Sequence, residues 1–234
     1  MRAPYLPHRG KPTHQFAGYG QPTDPEPKFY CDEFLGDALQ PEWTATTVGV
    51  ATAAPSAVSG GVFQLSLTAT SQAQDALLDQ ANLRAFDLKA GLFFETRIAK
   101  ISDSFNYQAV FGMAGNHNSD KDTITEAAWF RFQNDNGLLV ESDDTTNNND
   151  DVATGTTIVL GEYNVYGIDF SDLNDVRFFF NGKRKGMGTT FDMSNLTDAE
   201  ALMQPYFSID KGSGAGITTL RIDYVKIWQE VRAT

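Results

Sequence analysis

Leu220 to Glu230 reads LRIDYVKIWQE. Apolar and aromatic side chains recur at every second position, Leu220, Ile222 and Tyr224, then Val225 and Ile227, with Trp228 beyond them. Alternation is the period of a β-strand, and apolar residues on both parities predict a strand buried from both sides, central in its sheet. Counting by twos puts Leu220, Ile222, Tyr224 and Trp228 on one face, and Val225 and Ile227 on the other.

The same texture runs upstream. VFQLSLTA, LFFETRIAKI, YQAVFGMAG, AWFRFQ, NVYGIDF, VRFFFNGK and PYFSID are short, rich in aromatic and β-branched residues, and separated by polar turns. Two hairpins can be named: AWFRFQ turns at Asp135-Asn136-Gly137 into LLVESD, and VRFFF turns at Asn181-Gly182. Asn-Gly steps supply the positive φ that tight turns need. Helical signal is sparse. SQAQDALLDQ has room for a short helix, and LTDAEALM carries a capping-box spacing from Thr197 to Glu200. Short strands without strand-helix alternation predict an all-β, two-sheet antiparallel sandwich of jelly-roll type.

The 234 residues fit one such domain plus an appendage, and 41% hydrophobic residues suffice for a sizeable core. The appendage is residues 1–28, which hold six of the nine prolines and so admit neither a helix nor a central strand. Four basic residues there (Arg2, Arg9, Lys11, Lys28) against Asp24 and Glu26 give +2, leaving −14 for the domain at 29–234. Tyr5, Leu6, Phe16 and Tyr19 are spaced along this extended arm as apolar anchors, so the arm is expected to order on a neighbouring subunit or another protein, with Arg9 among its contacts. A net charge of −12 argues against nucleic acid as partner, and no apolar run is long enough for a membrane span or signal segment. One cysteine, Cys31, excludes an intramolecular disulfide, and no paired Cys or His pattern implies a metal or other cofactor. The expected origin is a cytoplasm.

Five pieces taken in order, FLGDALQPEW, LKAGLFFETRIAKI, AVFGMAG, YNVYGIDFSDLNDVRFFFNGK and LRIDYVKIWQ, resemble the concanavalin A-like lectins, laminin G-like modules and glucanases over most of residues 29–230. The resemblance implies a concanavalin A-like sandwich. In its glucanases two carboxylates share one strand in an E-x-D-x-x-E pattern, acid and nucleophile about 5 Å apart. After AVFGMAG this chain instead reads NHNSDKDTITEAAWFRFQNDNG, where Glu126 has no partner on its face of the strand. Asp120, Asp122 and His117 fall in a polar loop, and no nucleophile elbow occurs. The expectation is a domain with no catalytic residues.

Glu95 and Arg97 share a strand face and, with Trp129, are the candidate glycan contacts; the plainer expectation for the two charges is cross-strand pairing. ESDDTTNNNDD, residues 141–151, has five acidic residues but neither the glycine nor the terminal Glu spacing of a calcium loop, and reads as a solvated loop. The basic turn at Lys183, Arg184 and Lys185 is a candidate partner contact in an acidic chain. Together, the proline-rich arm and a catalytically bare lectin-like sandwich resemble decoration or cement proteins of tailed bacteriophage virions. That resemblance implies attachment to a major capsid protein on the virion surface and to neighbouring copies, preferably as a trimer. A glycan-binding module is the alternative and a glucanase-like hydrolase the third reading.

Overall fold

A computed structural model describes residues 27–102, 107–133 and 137–229. The arm anchors Tyr5, Leu6, Arg9, Phe16 and Tyr19 lie outside the described residues, as do Asp135 and Asn136 of the first expected turn. The first eight strands are β1 (Lys28–Asp32), β2 (Thr44–Val48), β3 (Thr52–Pro55), β4 (Phe63–Ser66), β5 (Gln74–Asp79), β6 (Phe86–Asp87), β7 (Leu92–Ser102) and β8 (Gln108–Ala114). There follow β9 (Glu126–Gln133), β10 (Gly137–Asp144), β11 (Asn148–Thr157), β12 (Tyr163–Asp169), β13 (Arg177–Phe180), β14 (Lys183–Lys185), β15 (Leu202–Lys211) and β16 (Thr219–Gln229). Helical structure among the described residues is limited to 3-10 turns at Leu88–Ala90 and Lys121–Thr123.

The strands make two antiparallel sheets. The first runs β14-β13-β12-β7-β16-β4-β3, with β1 also on β16; the second runs β11-β10-β9-β8-β15-β5-β2, with β6 also on β15. Their inner faces share one core in which aromatic rings interlock edge to face: Phe111 on Tyr166 at 4.8 Å, Phe130 on Phe178 at 5.4 Å, and Phe178 on Phe191 at 4.9 Å. The expected hairpins are present. β9 pairs with β10 from Phe132 opposite Leu138, and β13 with β14 around Asn181 and Gly182, both at positive φ. The two-sheet sandwich predicted from strand texture is the observed architecture.

Three local expectations are corrected. SQAQDALLDQ is strand β5, not helix, because it lies between β2 and β15 and is covered on both faces, Ala76 and Leu78 inside and Leu77 outside. LTDAEALM makes its reciprocal capping bonds, Thr197 N–H to Glu200 Oε2 at 2.7 Å and Glu200 N–H to Thr197 Oγ1 at 3.4 Å, but on one isolated turn. In β16 the pairing with β7 shifts between Ile222 and Tyr224, so Asp223 is an extra residue. That bulge reverses the side-chain phase: Leu220, Ile222, Val225 and Ile227 are all fully buried in the core, whereas Trp228 is 39% exposed on the outer face.

Close packing of β8 on β9 requires Gly112. A Cβ there would sit 2.7 Å from Trp129 Cα and against the Ala128 carbonyl oxygen, both backbone atoms with nowhere to go. Gly112→Ala is expected to cost at least the ~1–3 kcal/mol of an overpacked core, read as a lowered midpoint in urea at unchanged slope.

Candidate functional site

On the outer face of the second sheet, β9 presents Ala127, Trp129 and Arg131, since Ala128, Phe130 and Phe132 point into the core. This is the strand expected to carry paired carboxylates in the glucanase pattern. Arg131 is 4% exposed, and its two terminal nitrogens donate to Glu141 Oε1 at 2.8 Å, Gln108 Oε1 at 2.5 Å and Asp122 Oδ1 at 2.6 Å, while its Nε is buried without a partner among the described residues. Glu141 takes a second hydrogen bond from the Trp129 indole at 2.5 Å. Neighbouring acids raise the Arg131 pKa further against its burial, so the guanidinium is permanently charged.

The segment 115–125 lies across this face. Ile124 joins Leu77, Val110, Ala114, Ala127, Trp129 and Tyr206 in a second apolar cluster. Lys121, itself buried, pairs with Asp210 of β15. His117 stacks on Tyr206, its Nδ1 lies 3.0 Å from the Tyr206 hydroxyl, and its backbone N–H donates to Asn82 Oδ1 at 2.6 Å. Gln204 Nε2 holds the Gly115 carbonyl at 2.9 Å. What remains open beside Trp129, bounded by Asp122, Glu141, Asp143 and Asp150, is a cavity of about 20 Å³. That is room for a water and far below the several hundred Å³ of a small-molecule pocket.

Residues 141–151 are not a solvated loop. They form the β10–β11 hairpin, in which Ser142 and Asp144 are buried on the inward phase of β10 and Glu141 is buried on the outer face against Trp129 and Arg131. Asp144 accepts from the backbone N–H groups of Thr146, Asn147 and Asn195, and from both Asn side chains, thereby tying the hairpin to residues 192–196. Burial pushes its carboxyl up, but these donors outweigh it and leave it below the ordinary carboxylate range. The Glu141–Trp129 and Glu141–Arg131 contacts follow from the β9–β10 register, which sets Glu141 opposite Trp129 and diagonal to Arg131. Asn134 to Gly137 was the signal that could have found them.

Glu95 and Arg97 lie on the other outer face, on β7 of the first sheet, and do not meet Trp129. Tyr224 donates to Glu95 at 2.9 Å; Arg97 bonds Asp223 at 2.6 Å and covers the Tyr163 ring at 4.6 Å. Beside them runs a row of rings: Phe29 to Trp228 at 5.5 Å, Trp228 to Phe93 at 5.7 Å, Phe93 to Phe179 at 6.4 Å. Gly167 on β12 makes the last contact feasible, since a Cβ there would press Phe93 at 3.1 Å. Phe29 is 59% exposed. The basic hairpin is partly committed, Arg184 to Asp175 at 2.7 Å and Lys185 over Phe180 at 5.7 Å; Lys183 is exposed. No group of three or more His, Cys, Asp or Glu with metal-site geometry occurs among the described residues.

Removing Arg131 leaves Glu141 buried without its cation. Arg131→Met is expected to cost ~3–5 kcal/mol, and Arg131→Met with Glu141→Leu to recover most of it, measured by denaturant unfolding of the single and double variants. For Asp144 the sign follows from a folded pKa below the unfolded one. Its contribution is complete above the ordinary carboxylate pKa and is lost as pH falls through the folded value. Unfolding midpoints should drop across that acid window, and Asp144→Asn should flatten this part of the profile.

No protein-family model and no curated protein matches the chain. Solved structures do match in fold. A protein of unknown function from Shewanella oneidensis MR-1 aligns at TM-score 0.59 and 12% identity over 100% of both chains. The carbohydrate recognition domain of Emp47p aligns at 0.59 and 12%, covering 91% of this chain and 100% of that one. A GH16 enzyme from Bacteroides ovatus, solved with a product, aligns at 0.60 and 13%, covering 85% and 99%. At such identities the likeness concerns architecture alone: the chain has the concanavalin A-like jelly-roll sandwich fold.

Proposed function

We propose that this chain is a non-enzymatic virion structural protein that decorates a bacteriophage capsid, attaching through its arm and its exposed sheet face. The observation that carries the non-enzymatic part is the packed outer face of the second sheet. Where the resemblance to glucanases calls for an acid and a nucleophile, β9 offers Ala127, Trp129 and Arg131, under a segment pinned by Lys121 and Asp122. Glu141, the nearest buried carboxylate, is held by Arg131 and Trp129. An oxocarbenium-forming reaction needs a sugar ring between two free carboxyl groups, and a water-sized cavity excludes the ring.

The decoration part draws on the arm. Its six prolines and four apolar anchors precede β1 directly, and its net positive charge contrasts with an acidic domain. Bridging subunits by such an arm stabilises the assembled state by mass action. A second reading, a glycan-binding module, is favoured by the half-exposed Trp228 and by the carbohydrate recognition domain among the structural neighbours.

The full chain is expected to co-sediment with capsids stripped of it, and the chain lacking residues 1–26 to remain in the supernatant while staying folded. Equal co-sedimentation of the two would sink the decoration reading. Release of reducing ends from β-glucans by the full chain, abolished by Glu141→Gln or Glu126→Gln, would sink the non-enzymatic one. Millimolar binding on a glycan array would favour the second reading.

A further inference from the structure

The aromatic row on the first sheet is open, and the described chain puts nothing over it. Phe29, Trp228, Phe93 and Phe179 cross β1, β16, β7, β12 and β13, a width of about 19 Å at ordinary strand spacing. Phe29 and Trp228 are exposed and Phe93 and Phe179 partly so, and contiguous apolar rings at a sheet surface mark a contact surface. Rings at this spacing, tilted 43° to 57° to one another, leave grooves between them rather than a flat platform. Aromatic grooves are the usual dock for proline-rich extended segments, which lose little entropy on binding.

We propose that this row receives the N-terminal arm of a second copy of the chain. Residues 1–26 contain Pro4, Pro7, Pro12, Pro22 and Pro25, with Tyr5, Phe16 and Tyr19 among them, and they enter the fold one residue before Lys28 at the rim of the row. Three prolines in QPTDPEPK fix φ at 22, 25 and 27 and disfavour a helical turn at Gln21, Asp24 and Glu26. Proline-rich chain of the polyproline type rises about 3.1 Å per residue, so the ten steps from Phe29 back to Tyr19 can span up to about 30 Å. That reach exceeds the width of the row and suffices for the anchors to meet the row of another copy. Charge acts the same way. Two domains of −14 repel, and an arm with Arg2, Arg9 and Lys11 offsets part of that charge where it crosses to another copy.

The inference rests on the assembly reading but is tested without capsids. Sedimentation velocity of the full chain over a concentration series should show reversible self-association, accompanied by a change in Trp228 fluorescence. Trp228→Ser on the receiving face, which removes one ring, and separately Phe16→Ser with Tyr19→Ser on the arm, which removes two anchors, should each weaken association about tenfold or more. The arm variant lies outside the sandwich, so its effect cannot come from a misfolded domain. A chain that stays monomeric throughout overturns the exchange. So does a monomer in which the arm variant alone unshields Trp228, because the arm would then lie on its own row. Quenching of Trp228 by soluble glycans with no self-association overturns it in favour of sugar binding. Self-association without capsid attachment would leave the inference standing and defeat the decoration reading.

Discussion

The guanidinium of Arg131 organises one whole side of this molecule. A buried cation must find anions and other acceptors or return to water, and Arg131 finds the carboxylates of Glu141 on β10 and Asp122 on the covering segment and the amide oxygen of Gln108 on β8. Through these bonds three adjacent strands and the segment 115–125 become one unit. Trp129 shares the Glu141 carboxylate and so lies flat beneath Ile124 instead of standing free. The covering segment is then held at both shoulders, by Lys121 on Asp210 and by His117 on Tyr206. Opening a cleft on this face would break the Arg131–Asp122 bond and leave Glu141 as the close counter-ion of Arg131.

The two outer faces are consequently unequal. The second sheet buries its outward apolar residues under the chain itself, with Val110, Ala114, Trp129 and Tyr206 all nearly inaccessible. Among the described residues the first sheet has no such cover and meets the problem differently. Its centre is screened by polar cross-strand partners, Arg97 with Asp223 and Tyr224 with Glu95, each of modest worth on a half-exposed surface. Towards β1 the rings of Phe29 and Trp228 are the more exposed end of the row.

Much of this was legible in advance, and what was not has physical causes. Strands with dense aromatic and β-branched content, such as AWFRFQ and VRFFF, announced themselves, and their Asn-Gly turns supplied the register. TATTV, TAAP and NNDDVATGTT did not, because β2, β3 and β11 are edge strands whose side chains are largely exposed and need no apolar alternation. β5 was hidden for the opposite reason: covered on both faces, its ALL core has no period to read. The candidate contacts fared unevenly. Glu95 and Arg97 pair across strands as their spacing suggested, but Trp129 is buried on the far side, because face and sheet depend on long-range pairing. Asp144 looked like one more solvated acid among five, and only the turn beyond it, with Asn195 fifty-one residues away in sequence, makes it an anchor.

LRIDYVKIWQE shows how a single residue settles which surface is which. Read by strict alternation, Trp228 shares a face with Leu220 and would lie in the core. Asp223 breaks the count: as the extra residue of a bulge it turns its carboxylate to Arg97 and shifts everything after it by one position. Val225 and Ile227 move inward to continue the core begun by Leu220 and Ile222. Trp228 moves outward to meet Phe29 and Phe93. A one-residue slip exchanges the two faces of a strand, so the bulge both preserves an unbroken core along β16 and creates the aromatic row at its end.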